Sequence, residues 1–501
     1  MASPALPIDI LLLIMEEASL STVANMTRTC LALRQGGARF LLDRGVSLIA
    51  GNSVISFVKF MRADPKNRFQ FLRSLEIETG ELLPREVDAL LGLVTHPLLA
   101  LESLTLREAE PMLKSMSKHS SIPDPTGPTP LVRAFSALKT LRHLTVDECD
   151  QRACTLIAAI RAPLKSISIG FTPISSWHNA EDAERRNPIV LLANLSETLE
   201  EITATNVAMA LDHIMYDIVY PSVRRLSVTY DLTWVLKTVA CTTAFPNLTH
   251  FSFNVAGEGR PGELFHALLG RTANKGSLER HGRGWTHLEE LAGGLMDVYI
   301  LGLACRVATL RLTGPVLVDL LSPLTDILED ARPNSLAVSL VGAHLFEDDT
   351  LATILGHYCA QELRTLEMEV CLDVDEVAVD AQTMLGNVVG TLAVLPLRNL
   401  TLTLNYGLFA DRDESGRRMF PAGRTFEALD LDAAAGIFRA AMPSLVDVSV
   451  RRSTDCAWYE SVYGGEDDSD SSDDLSMYFP DGDGLEGDLG GLMMEEDDHG
   501  W

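Results

Sequence analysis

The sequence predicts an α/β chain in three parts: short helices over 1–45, a solenoid of stacked strand-and-helix units over 46–452, and a disordered acidic tail over 453–501. Three observations carry that prediction. Leu-x-x-Leu-x-Leu, with other apolar residues allowed at the leucine places, recurs eleven times, beginning at Leu72, Leu101, Leu141, Leu164, Leu199, Val223, Leu248, Val307, Leu363, Leu397 and Leu445. Small hydroxyl residues fill the middle place of most units. The tail holds 16 Asp/Glu and no Lys or Arg, leaving 53 acidic against 41 basic residues elsewhere.

Hydrophobic residues at 47% and charged residues at 22% leave the body enough apolar surface to fold, so wholesale disorder is excluded. The net charge of −28 argues against a phosphate-tracking surface, and nucleic acid is not an expected partner. Eight scattered cysteines without a Cys-x-x-Cys pair are too few for a disulfide scaffold, which points to a reduced, intracellular protein, cytoplasmic or nuclear. No secretory signal is evident, because the apolar run Ile10 to Met15 meets Glu16-Glu17 instead of a cleavage site. The two best apolar stretches are broken by His96-Pro97 and by Asp297 and Arg306, so no membrane span is expected.

Taken in order, Leu6 to Met15 reads as a greasy helix with Pro7 in its first turn, where a missing N–H costs nothing, and Asp9 at the positive end of the dipole. Ser21 is the expected N-cap of a second helix with Val23, Met26 and Cys30 on one face. Gly36-Gly37 is expected to break a third short helix around Leu31 and Leu33. A helix apolar nearly all round asks for burial on two sides, beyond what a cap on the first strand requires.

These residues resemble the F-box, in Leu6-Pro7-x-Asp9-Ile10 and in Leu20, Val23, Met26, Cys30 and Leu33 at the family's spaced positions. Leu33 stands where many members carry tryptophan, and the resemblance covers less than a tenth of the chain. It implies docking on a Skp-type adaptor of a cullin ubiquitin ligase through Leu6, Pro7, Ile10, Leu11, Ile14, Leu20, Val23 and Met26.

Val46-Ser-Leu48 is the expected first strand, followed by a helix over Asn52 to Met61. Two long intervals leave room for degenerate units near Leu288 and Leu336, giving a period of about 31 residues. The clearest unit, Leu141-x-x-Leu144-x-Val146-x-x-Cys149, resembles a leucine-rich repeat of the irregular kind found with F-boxes. A doubly wound enzyme would bury both sheet faces. Here Thr105, Thr145, Ser168, Thr203, Ser227, Ser252, Thr401 and Ser449 occupy the middle place, so one face must meet water. That column is a candidate binding surface, although Ser and Thr also suit strands for their own sake. Insertions at 110–130, 170–188, 256–285 and 411–423 are expected to be mobile loops.

Enzymatic motifs are sparse. Gly257-x-Gly259-x-x-Gly262 matches a dinucleotide fingerprint between a candidate strand, Phe251 to Val255, and the helical-looking Glu263 to Leu269, but Pro261 stiffens it and no clear strand precedes Glu279 to place a ribose-binding acid. His143, Cys149 and Cys154 lack a fourth metal ligand, and core cysteines with a surface histidine is the plainer account. Asp481-Gly-Asp483-Gly meets Leu485 where a calcium loop needs a third acid. Ser471, with Asp474 three residues on, suits an acidic-directed kinase, and Met477 to Phe479 and Leu492 to Met494 are short apolar clusters in the tail. The expectation is a non-catalytic receptor with no cofactor and no metal, holding an unknown protein substrate on the solenoid. The alternatives are a repeat scaffold unconnected with ubiquitylation and a nucleotide-dependent enzyme.

Overall fold

The computed structural model describes residues 6–116, 128–172, 184–208, 217–231, 236–256, 263–282, 284–357, 362–409 and 420–455. Three helices open the chain: α1 (Ile8–Glu17), α2 (Leu20–Met26) and α3 (Leu31–Leu42). They share a small core of Met15, Val23, Leu33 and Phe40, with Leu11, Leu12, Ala18, Met26 and Leu41 packed against it. Pro7 stands just outside α1 as its N-cap. Arg44 donates to the carbonyls of Glu16 and Ala18, holding the exposed end of α1 to the chain beyond α3.

Three expectations about these helices are corrected. The N-cap of α2 is Ser19, whose hydroxyl accepts from the Thr22 amide, and not Ser21. Cys30 is the exposed N-cap of α3 and does not share a face with Val23. Nor does α3 break at Gly36-Gly37. A Cβ on Gly37 would lie 2.2 Å from Met15 Cε and 2.7 Å from Thr27 Cγ2, and one on Gly36 would lie 2.7 Å from Leu12 Cδ2. The glycines let α1 and the end of α2 approach α3 closely, and tertiary packing overrides their poor helix propensity.

Among the described residues, fourteen strands then form one parallel sheet in which spatial order follows chain order from end to end. They are β1 (Val46–Leu48), β2 (Ser74–Glu78), β3 (Ser103–Arg107), β4 (His143–Cys149), β5 (Ser166–Phe171), β6 (Glu201–Val207) and β7 (Arg225–Asp231). The second half comprises β8 (His250–Ala256), β9 (His287–Gly294), β10 (Arg306–Val316), β11 (Ser335–Val341), β12 (Thr365–Cys371), β13 (Asn399–Asn405) and β14 (Asp447–Ser453). Each of the eleven motifs, both degenerate units and the first-strand reading correspond to one strand.

The register is carried by the motif's second and third apolar places. Leu75, Leu104, Leu144, Ile167, Ile202, Leu226, Phe251 and Leu291 pair in one line across β2 to β9. These side chains are buried, while the residues between them are half-buried or exposed. A one-residue slip would turn every leucine outward, so the pattern specifies the register strongly.

Helices fill the connections: α4 (Gly51–Ala63), α5 (Pro65–Arg68), α6 (Pro84–Val94), α7 (Ala109–Lys114), α8 (Pro130–Ser136), α9 (Gln151–Ala159) and α10 (Pro188–Leu191). Beyond β7 come α11 (Thr238–Ala244), α12 (Glu263–His281), α13 (Leu295–Leu301), α14 (Leu321–Ala331), α15 (Asp349–Gly356), α16 (Ala381–Leu392), α17 (Pro421–Glu427) and α18 (Leu431–Ala441). They pack in succession, α4 on α6, α6 on α8, and later α12 on α13, α13 on α14 and α15 on α16. One continuous core runs between helices and strands from Leu42 to Val450. The expected loop at 256–285 is corrected by α12, whose 19 residues include Arg271 and Asn274 anchored to neighbouring helices. No helix among the described residues is long and apolar enough to cross a membrane.

At the carboxyl ends of three strands the alternation is reset. Glu108, Glu148 and Asn206 have positive φ (45°, 53° and 56°), two places after the last inward residues Leu106, Val146 and Ala204. Left-handed backbone inserts a residue and flips the parity, so Ala109, Cys149 and Val207 are buried. Asn206 tolerates this conformation and donates to the Phe171 carbonyl at 2.9 Å. Glu108 and Glu148 adopt it at a cost.

Candidate functional site

Two surfaces and three cavities among the described residues are candidates for binding another molecule. The first surface is the outer side of α1. Helical spacing sets Ile10, Leu13 and Ile14 together, Leu6 lies just ahead of the helix, and the inner side, Leu11, Leu12 and Met15, packs on the small core. Leu6 and Leu13 are 58% and 60% exposed, Ile10 and Ile14 43% and 45%. Leu20 and Leu31 add exposed apolar area at the starts of α2 and α3. Of the residues singled out from sequence, Leu6, Pro7, Ile10, Ile14 and Leu20 therefore stand outside. Val23 is fully buried and positions the helices, while Leu11 and Met26 are half-buried against the small core and remain partly open. Ile8, Leu13 and Leu31 were missed by sequence reasoning; stepping three and four residues from Ile10 would have found Leu13. Isolated exposed leucines are ordinary, but a contiguous apolar set marks an interface.

The second surface is the open sheet face. Thr105, Thr145, Ser168, Thr203, Ser227 and Ser252 pair strand to strand in an unbroken line, ending at Ala292. At the strand spacing of about 4.8 Å this strip is about 24 Å long. Thr401 and Ser449 pair at the far end. Charges flank the strip. Arg107 bridges Glu76 and Asp147, and the hydrogen bonds it donates to both carboxylates push its guanidinium pKa up. Glu201, Arg225, His250 and Glu290 line a cavity of about 170 Å3 over β6 to β9, with Arg225 3.6 Å from Glu201 and Arg311 3.4 Å from Glu290. The strip offers uncharged hydrogen-bonding groups between paired charges, a chemistry suited to recognition. His143 Nδ1 lies 2.8 Å from Ser166 Oγ, but the pair is exposed on neighbouring strands with no enclosing cleft for a reacting carbonyl.

A cavity of about 630 Å3 lies where α12 and α14 meet the start of β10. Its walls carry Arg271, Lys275, Arg306 and Arg332 against Asp326, Glu329, Asp330 and Glu362. Arg271 is buried and bonds Asp330, which also holds Lys275 Nζ at 3.0 Å, so the charges balance one another and fasten α12 to α14. Cys305 on its floor has its thiol pushed up to about 12 by burial, which leaves it unreactive.

A smaller cavity of about 200 Å3 is lined by Cys149, Asp150, Gln151, Cys154, Phe171, Arg185 and Arg186. The sulfurs of Cys149 and Cys154 are 3.7 Å apart, while His143 points to the other sheet face. Among the described residues no group of three or more His, Cys, Asp or Glu could hold a metal ion. The Gly257 to Gly262 segment, Ser471, the Asp481-Gly-Asp483 segment and the tail beyond Asp455 lie outside the described residues.

No protein-family model matches the chain, and no curated protein matches it.

Proposed function

We propose that the chain is an F-box protein with irregular leucine-rich repeats, the substrate-recognition subunit of a Skp-cullin-F-box type ubiquitin ligase. The observation that carries this reading is the exposed apolar face of α1, set on a three-helix unit that begins with Leu6-Pro7 and is fixed to the edge of the sheet through α3 and Arg44. In this reading the partner helices of a Skp-type adaptor cover Leu6, Pro7, Ile10, Ile14 and Leu20. The sequential parallel sheet with helices on one side is then a solenoid, and its open hydroxyl strip meets the protein to be ubiquitylated. The chain supplies no catalytic group or cofactor; it raises the effective concentration of substrate beside a ubiquitin-charged enzyme on another subunit.

The test is an adaptor pull-down with the full chain and with a Leu6→Ala, Pro7→Ala double variant. Capture of the wild type and loss of capture by the variant, at unchanged melting temperature, is the expected result. Equal capture of both would remove the assignment.

A further inference from the structure

Cys149 and Cys154 share a corner that is built to bring two thiols together. Val146 faces the core, and strict alternation would turn Cys149 toward the open sheet face. The left-handed residue Glu148 and the register shift between Val146 and Cys149 reverse that parity and bury the Cys149 side chain completely. The chain then turns at once into α9, whose second turn carries Cys154. Glu110, itself buried, accepts hydrogen bonds from the Arg152 and Ala153 amides at 3.0 and 3.1 Å and locks the start of that helix. The result is a contact of 3.7 Å between the two sulfurs.

From the paired sulfurs and the cavity that opens on them, we infer that Cys149 and Cys154 are a site of reversible oxidation, forming an intramolecular disulfide in response to hydrogen peroxide. A disulfide needs the sulfurs at about 2.05 Å, so they must close by about 1.7 Å, a displacement within reach of χ1 rotation. The Cys149 thiol hydrogen-bonds Cys154 and is buried, which holds it protonated and keeps it from being the sulfur that attacks first. Cys154, less completely buried, takes the first step at the cavity that also receives Arg185 and Arg186. Its sulfur attacks one peroxide oxygen and the O–O bond breaks. Cys154 becomes a sulfenic acid, and the other oxygen leaves as water with the thiol proton. The Cys149 sulfur then displaces the sulfenic hydroxyl, which departs as a second water with the Cys149 proton. Two thiols are oxidised to one S–S bond and one peroxide is reduced to two waters.

The peptide map of the full chain decides the matter, because trypsin cuts after Arg152, between the two cysteines. After hydrogen peroxide treatment, alkylation under denaturing conditions and digestion without reductant, peptides 143–152 and 153–161 should appear joined, lighter than their sum by two hydrogens. They should separate on reduction, and Cys154→Ser should abolish the linkage while leaving 143–152 alkylatable. The wild-type map stands whether or not that variant folds. Both cysteines alkylated after peroxide, higher oxidation without linkage, or linkage of either peptide to a different cysteine would each overturn the inference.

Discussion

At the residue scale, one feature breaks local backbone preference and another follows it. Glu148 occupies left-handed backbone at φ 53°, a conformation that costs a non-glycine residue about 1 kcal/mol. Glu148→Gly should therefore be neutral or stabilising by up to about 1 kcal/mol in urea unfolding, whereas Glu148→Val should destabilise by more than 1 kcal/mol. Destabilisation by glycine equal to that by valine would mean that the side chain, and not the backbone, matters there. Asp380 caps α16 by accepting from the Thr383 amide at 2.8 Å, and that bond holds its carboxyl below the ordinary aspartate pKa. A folded-state pKa below the unfolded value stabilises above the unfolded pKa and ceases to do so as pH falls through the folded one. Asp380→Ala should accordingly cost about 1 kcal/mol at neutral pH, and the gap to wild type should narrow below about pH 4. A gap that stays constant down to the acid transition would contradict the cap.

At the element scale, strands were more legible than helices. The line through Leu75, Leu104 and Leu144 announces itself because a strand buried on one face repeats every second residue. Even the strands at Leu288 and Leu336, whose motifs are degraded, were recoverable from the interval length. Helix bounds were not, because glycine has two uses and sequence shows neither. Gly36-Gly37 reads as a terminator, yet α3 runs through it because Met15, Thr27 and Leu12 fill the space a Cβ would take. Gly37→Val should thus destabilise the N-terminal unit by about 1–3 kcal/mol, read as increased amide exchange in α1 and α2 with β4 to β8 unaffected. Normal protection of α1 in that variant would contradict the close approach. Only the start of α12, the helical-looking Glu263 to Leu269, is legible; its continuation to His281 is not, because Gly270 and Gly276 look loop-like and what holds it is long-range, through Asn274 to the Leu236 and Ile300 carbonyls. The positive-φ residues that bury Cys149 had no signal at all, since glutamate does not advertise left-handed backbone.

At the scale of the whole molecule, two kinds of surface have been left uncovered for different reasons. The hydroxyl strip follows from the fold, because a sequential parallel sheet with helices on one side must solvate the other. The apolar face of α1 does not follow from the fold, since the small core around Met15 and Val23 would be complete without Leu6, Ile10, Leu13 or Ile14. Apolar area kept in water forgoes about 25 cal/mol for each Å2 that burial would contribute, and a partner surface is the physical account of that expense. The adaptor-binding reading therefore stands or falls on this face. Isothermal titration of a Skp-type adaptor into the full chain tests it, comparing wild type with Ile10→Asp and with Ile437→Asp, a change at a similarly exposed isoleucine on α18 far along the chain. The account predicts saturable binding by wild type and by Ile437→Asp, with affinity weakened at least about tenfold in Ile10→Asp, the loss of about 1.4 kcal/mol that one buried aliphatic side chain supplies. No binding by wild type, or equal affinity in all three, would contradict it.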